Sequence, residues 1–136
     1  MPAAKPLRLR IGELAERTGR SVHTIRWYEA QGLLPTVPRQ GAHRVYSNRH
    51  VEWMELMDRL RQTGMSVAEL RNYTALAQRG ASTAEQTRAL LVAHKARVEA
   101  RIAEWQRARR LIDEKIGFYT EWIEEGRRPA KRAARS

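Results

Sequence analysis

Arg26, Trp27 and Tyr28 follow one another in a short segment that otherwise reads as a helix, and their types suit a groove lined by phosphates. A guanidinium brings a permanent charge with several donors, and indole and phenol rings carry polar tips that donate to oxygen. The chemistry on offer is recognition of a polyanion, with no bond made or broken. Burial is the common fate of large rings, so either aromatic can equally be read as a core residue of a small domain, and both readings can hold in part. Arg20, Ser21, His23 and Thr24 lie in the same stretch and complete its set of candidate contacts.

Other chemistries find little material. The 136 residues include no cysteine, which excludes disulfides, thiolate metal sites and thiol-based sensing within the chain. The four histidines, at 23, 43, 50 and 94, show no metal-ligand spacing, so no metal site and no cofactor are expected. No nucleophile or acid–base constellation is recognisable, and an enzyme is not expected.

The elements that must hold Arg26 in place can be read locally. Ser21 is a good N-cap, Val22 and Ile25 share a face, and Gly32 closes the segment. Upstream, Ile11, Leu14 and Ala15 repeat the spacing in an earlier helix that Thr18-Gly19 ends. Two short helices across a tight turn make a helix-turn-helix. Pro35 and Pro38 then stop helical continuation, and Arg39-Gln40-Gly41-Ala42 turns the chain into His43-Arg44-Val45-Tyr46, a small hairpin or wing with Arg44 as its best-placed cation and Arg39 nearer the tip. Arg8 and Arg10 fall at the edge of the first helix, as a solvated charged end or as phosphate contacts.

Ser47 caps a third helix, His50 to Thr63, with Trp53, Met54, Met57 and Leu60 on one face and Gly64 beyond it. Ser66-Val67-Ala68-Glu69 is a capping box for a fourth helix ending near Gln78, and the compact domain is expected to end at Gly80. Ser82-Thr83-Ala84-Glu85 reads as a second capping box. Beyond it Leu91, Val98, Trp105, Ile112 and Tyr119 recur every seven residues, with Ile102, Ala108, Ile116 and Ile123 in the neighbouring seam. A helix from Thr83 to Glu125 would be about 64 Å long and could not bury this stripe alone. Pairing with a second copy is the simplest remedy, through Leu91, Val98, Ile102, Trp105, Ile112, Ile116 and Tyr119. His94 and Lys115 lie at or beside the seam, either fixing its register or sitting at its edge.

Charge follows the same division. The formal net charge is +11; residues 1–76 hold 12 basic and 7 acidic side chains, residues 77–126 hold 9 and 8, and residues 127–136 hold 5 and none. The excess at the helix-turn-helix end and in the tail favours a polyanionic partner, nucleic acid before membrane. With no spanning apolar run and no signal-peptide centre, a cytoplasmic, nucleoid-associated protein is expected. The expected domains are a disordered lead-in over 1–7, a winged helix-turn-helix over 8–80, a dimerisation helix over 82–125 and a basic disordered tail over 126–136.

In order, the segments "RIGELAERTG", "SVHTIRWYEAQGLLP", "HRVYS" and "LRQTGMSVAEL" before a long helix resemble the MerR family of bacterial transcriptional regulators over residues 8 to about 125. The resemblance implies a mainly α fold, a winged helix-turn-helix followed by a long helix that pairs as an antiparallel coiled coil. It implies a homodimer on a pseudo-palindromic promoter operator in double-stranded DNA, distorting the promoter spacer for RNA polymerase. By position it makes Arg26, Trp27 and Tyr28 contacts of the recognition helix, Arg44 and Tyr46 wing residues, and Arg61 a backbone clamp. The family wing usually reads Gly-Tyr-Arg; here Gly41-Ala42-His43-Arg44 moves the glycine, and His43 replaces the ring. The later segments look most like the aldehyde- and electrophile-responsive branch, whose cysteine would fall near Arg59, so a small-molecule effector is left unidentified. A ligand-independent architectural protein that bends DNA shares every feature except promoter placement.

Overall fold

The computed structural model describes residues 8–130, so the lead-in over 1–7 and the end of the tail over 131–136 lie outside the described residues. Two short helices come first, α1 (Ile11–Thr18) and α2 (Val22–Ala30). The α1 start is fixed by the Arg10 backbone N–H, which donates to Glu13 Oε1 at 3.2 Å. Its end is fixed by Gly19, whose φ of 67° lies in the left-handed region that a side chain disfavours. At α2, extended Ser21 accepts from the Thr24 backbone N–H at 3.1 Å, so one orphan donor of the helix start is satisfied by the expected cap.

The wing is a two-stranded antiparallel hairpin, β1 (Arg39–Gln40) and β2 (His43–Arg44), turning at Gly41 with φ 64°. Its register sets Arg39 directly opposite Arg44. Arg39 is therefore no nearer the tip than Arg44, contrary to the sequence expectation. The chain before α1 is also more than a charged edge: Leu9 and Tyr46 exchange both backbone hydrogen bonds at 2.7 Å, which ties residues 8–10 to the wing root.

Helix α3 (Asn48–Gln62) starts directly after Ser47, before the expected His50, and α4 (Val67–Gln78) follows. Ser66 and Glu69 form the reciprocal capping box, at 3.1 and 3.2 Å. The second box expected at Ser82 is absent. Gly80–Thr83 is a single 3-10 turn that runs straight into α5 (Ala84–Glu125), so no residue there has the extended backbone an N-cap needs. Ser82 Oγ instead donates to the Arg79 carbonyl at 3.4 Å, and the buried Thr83 hydroxyl donates to the carbonyl of Leu76.

The core gathers α1 to α4 around Leu14, Ile25, Tyr28, Leu33, Tyr46, Met54, Met57 and Leu70, all nearly or wholly buried. Each such side chain contributes about 1.5–3 kcal/mol by leaving water. Trp53, at the rim, donates its indole N–H to the Leu33 carbonyl at 2.9 Å, so its polar tip is satisfied. The compact unit continues past Gly80 to His94. There His94 is buried, with Nε2 2.8 Å from Thr63 Oγ1, and Leu91 packs on the same core. Leu91, expected in the seam between copies, and His94, expected at or beside it, thus pack on their own chain.

A second unit begins at Lys95. Along α5 it leaves a row of large apolar side chains in solvent, from Ile102 and Trp105, the latter 71% exposed, through Ile112, Ile116 and Tyr119 to Ile123, 81% exposed. Near the helix end Tyr119 and Trp122 stack with centroids 6.0 Å apart.

His50 gives a test of the core. It is buried, its Nδ1 accepts from the Ser47 backbone N–H at 3.0 Å, and burial holds its pKa below the ordinary 6.5. The folded chain keeps the ring neutral, whereas the unfolded chain takes up a proton below about that value, so the stability from His50 is complete above about pH 6.5 and is lost on acidification. Thermal unfolding between about pH 7.5 and 5.5 should show Tm falling on the acid side, with a smaller fall for His50→Asn. Equal falls in both would place the acid sensitivity elsewhere.

Candidate nucleic-acid interface

The 3.6-residue period of α2 divides its side chains. Ile25 and Tyr28 turn into the core, and His23 and Arg26 remain exposed. Ser21 and Thr24 are exposed or half-buried and spend part of their hydrogen-bonding capacity on each other, with hydroxyls 2.9 Å apart. Trp27 is half-buried against the core edge, its ring meets Tyr28 edge-on at 5.4 Å, and the Arg61 guanidinium lies 5.3 Å from its centroid. This cation–π contact gives exposed Arg61 a fixed platform beside the helix.

Tyr28 and Tyr46 depart from the expected contact set. Tyr28 is 2% exposed and Tyr46 wholly buried, and each hydroxyl is committed to a carboxylate. Tyr28 donates to Asp58 Oδ1 at 2.7 Å, while Arg20 pairs with Asp58 Oδ2. Tyr46 donates to Glu29 Oε1, while Arg44 Nη1 pairs with Glu29 Oε2 at 2.9 Å. Burial raises both phenol pKa values above 10.0, and the neighbouring carboxylates raise them further. Both rings are thus proton-holding donors inside the fold, and they position the surface rather than form it. Nothing in the residue types distinguishes a ring that points out from one that points in; the helix and strand phases decide.

Glu29, Asp58 and Arg71 were not singled out from the sequence. Arg71 closes the far end of α2, donating from Nε to the Gln31 carbonyl and from Nη2 to Gln31 Oε1, both at 2.8 Å. The recognition helix is therefore held at its start through Arg20 and Asp58 and at its end through Arg71. The Asp58 pairing spans 38 residues to Arg20 and the Arg71 pairing spans 40 to Gln31, distances at which no local pattern signals contact. Glu29 offered one cue, an acid directly after the aromatic pair and three residues from Arg26.

Between the start of α1, the exposed side of α2 and the wing lies a cleft of about 470 Å³, lined by Arg10, Ile11 and Gly12, by Arg26 and Glu29, and by Ala42, His43, Arg44 and Tyr46. Three guanidinium side chains and the first backbone amides of a helix share this space, which favours an anion such as a phosphate. Arg39 and His43 are exposed on the hairpin beside it. Among the described residues no helix is long and apolar enough to cross a membrane.

Removing the Asp58 carboxylate leaves the buried Tyr28 hydroxyl without its acceptor. Asp58→Ala should therefore cost about 1–3 kcal/mol of folding stability, read from the urea midpoint; an unchanged midpoint would mean that water replaces the carboxylate at no cost.

Comparison with known proteins agrees with this geometry. The family model described as "MerR HTH family regulatory protein" matches residues 9–77, and the one described as "MerR, DNA binding" matches residues 51–115. An uncharacterised HTH-type transcriptional regulator of Haemophilus influenzae is 32% identical over 106 residues, covering 77% of this chain and 78% of that protein. HiNmlR, a MerR family regulator lacking the sensor domain and crystallised on promoter DNA, superposes with a TM-score of 0.76 at 29% identity, over 89% of this chain and 97% of that one. A MerR family transcriptional regulator from Listeria monocytogenes superposes with a TM-score of 0.80 at 31% identity, over 87% and 90%. With matches running from residue 9, before the first helix, through most of the long one, the chain belongs to the MerR family of DNA-binding helix-turn-helix regulators.

Proposed function

We propose that this regulator binds a pseudo-palindromic promoter operator as a homodimer and distorts the promoter spacer to alter its use by RNA polymerase. The observation that carries the DNA-binding part is the shared cleft, where Arg26 of the recognition helix and Arg44 of the wing line one anion-favouring space. The similar regulator HiNmlR was crystallised on promoter DNA, which supports the same kind of partner here. The compact unit to His94 acts as the reading head and α5 beyond it as the pairing helix, with the basic residues of 126–136 adding sequence-blind attraction. Arg26, His23, Arg39, His43 and Arg61 present exposed donors for the contacts; Arg20 and Arg44 do so while held by carboxylates.

The dimer follows from the apolar row on α5, whose residues from Ile102 to Ile123 stand more than half exposed at the positions that would interlock. Its direction follows from charge. Arg109 falls on the row of Ile102, Ile116 and Ile123, and parallel in-register pairing would set it against its own copy. Antiparallel pairing sets it against another residue, which avoids confronting two cations in the seam.

No catalytic role is assigned, and a cytoplasmic location on the nucleoid fits a DNA partner. Any effector response proceeds without a thiol, because the sequence holds no cysteine and the exposed Arg59 stands where the electrophile-responsive branch would carry one. An arginine cannot form that adduct.

A footprint on the DNA upstream of its own and the neighbouring divergent gene tests the reading, at near-physiological salt with excess competitor. A protected palindrome between the promoter hexamers, with hyper-reactive bases at its centre, is the expected result. Scattered protection that competitor removes would instead favour an architectural DNA-bending protein. On the protected site, Arg26→Ala should weaken binding by about 1–3 kcal/mol, measured by salt-controlled titration. Unchanged affinity would remove Arg26 from the interface.

A further inference from the structure

Glu29 is an acid set in the surface that is meant to meet a polyanion. Its carboxylate lines the same cleft as Arg10, Arg26 and Arg44, where it opposes the approach of phosphate. A carboxylate in that place weakens attraction to DNA of every sequence. Its two oxygens are divided between two points of the wing: Oε1 takes the Tyr46 hydroxyl and Oε2 takes Arg44 Nη1 at 2.9 Å. Arg44 and Tyr46 stand two apart in extended chain, so their side chains leave on the same side and reach the same acid. Tyr46 is also the wing root, paired through its backbone to Leu9. On its own helix Glu29 lies one turn after Arg26, so a single side chain fixes the wing arginine relative to the recognition arginine.

We propose that Glu29 is a positioning residue for sequence discrimination: it holds the wing's Arg44 at a set spacing from Arg26, at the cost of some general attraction to DNA. The inference rests on the DNA-binding reading given above. Arg44, with its exposed fork of N–H donors, is held to Glu29 by an ion pair, and its many-jointed side chain is ordered before DNA arrives. A site whose two arginines are fixed relative to one another fits one groove geometry well and others poorly. Released, Arg44 reaches phosphates on any duplex.

The full-length protein is first used to select a consensus operator from random duplex DNA, and affinities are then measured for that operator and for a scrambled duplex of the same length. Glu29→Gln keeps an acceptor for Tyr46 and removes the charge that holds Arg44. It should bind the scrambled duplex as tightly as the parent or more tightly, while the operator-to-scrambled ratio falls about tenfold, comparable to one mismatched base pair. Glu52→Gln, which makes the same charge change at an exposed position on α3, should leave the ratio unchanged. Arg44→Lys keeps the wing's charge without the planar fork and should lower the ratio also, with the double variant no worse than the poorer single. A ratio for Glu29→Gln within about twofold of the parent overturns the proposal, as does an equal loss on both duplexes alongside a fall in Tm, the mark of a merely structural acid. Additive losses in the double variant overturn it too, and they remain readable if Glu29→Gln folds poorly, since Arg44→Lys changes only an exposed side chain. A parent that selects no consensus would fail the operator reading itself, an outcome distinct from all of these.

Discussion

The helix-turn-helix depends on docking a helix too short to stand alone. Val22–Ala30 is nine residues long, below the length at which helices persist in water, so its shape is borrowed from what it packs against. Ile25 and Tyr28 supply the buried side, and three charged side chains supply the fixings: Asp58 near its start through Arg20 and Tyr28 and Arg71 at its end, both distant in sequence, and the helix's own Glu29 toward the wing. The two carboxylate fixings pair a charged group with a buried hydroxyl, where hydrogen bonds to charge contribute more than they do in open solvent.

Two of those fixings share a design. In each a carboxylate divides its oxygens between a buried tyrosine hydroxyl and a surface arginine, Asp58 with Tyr28 and Arg20, Glu29 with Tyr46 and Arg44. The tyrosine brings hydrophobic anchoring to a depth where its hydroxyl must find an acceptor, and the arginine neutralises the acid while keeping donors to spare. The surface thereby carries cations whose positions are set from beneath. The cost is negative charge set beneath a basic surface.

The long helix follows a different rule. Its first turns, to His94, belong to the compact unit, with Leu91 and His94 packed on the core and the Thr63 hydroxyl against the imidazole. From Ile102 onward its apolar row stands more than half exposed among the described residues.

What the sequence by itself determined was local and periodic. Ser21, Gly19 and the Ser66-Glu69 pair set helix ends through hydrogen bonds spanning three to five residues, the wing was marked by its prolines and Gly41, and the seven-residue spacing from Leu91 to Tyr119 marked the long helix. These features need no knowledge of what lies opposite, because their partners are chain neighbours. The order of segments carried the family for the same reason. The tertiary structure alone decided which of three successive side chains reach outward: Arg26 exposed, Trp27 at the rim under Arg61, Tyr28 sealed on Asp58. It also replaced the Ser82 cap by a continuous 3-10 turn, moved Tyr46 from the wing surface to the core, and brought Leu91 and His94 into the first unit. Those outcomes turn on the phase of one element against another and on acids 17 to 38 residues away, a relation that exists only once the chain has closed on itself.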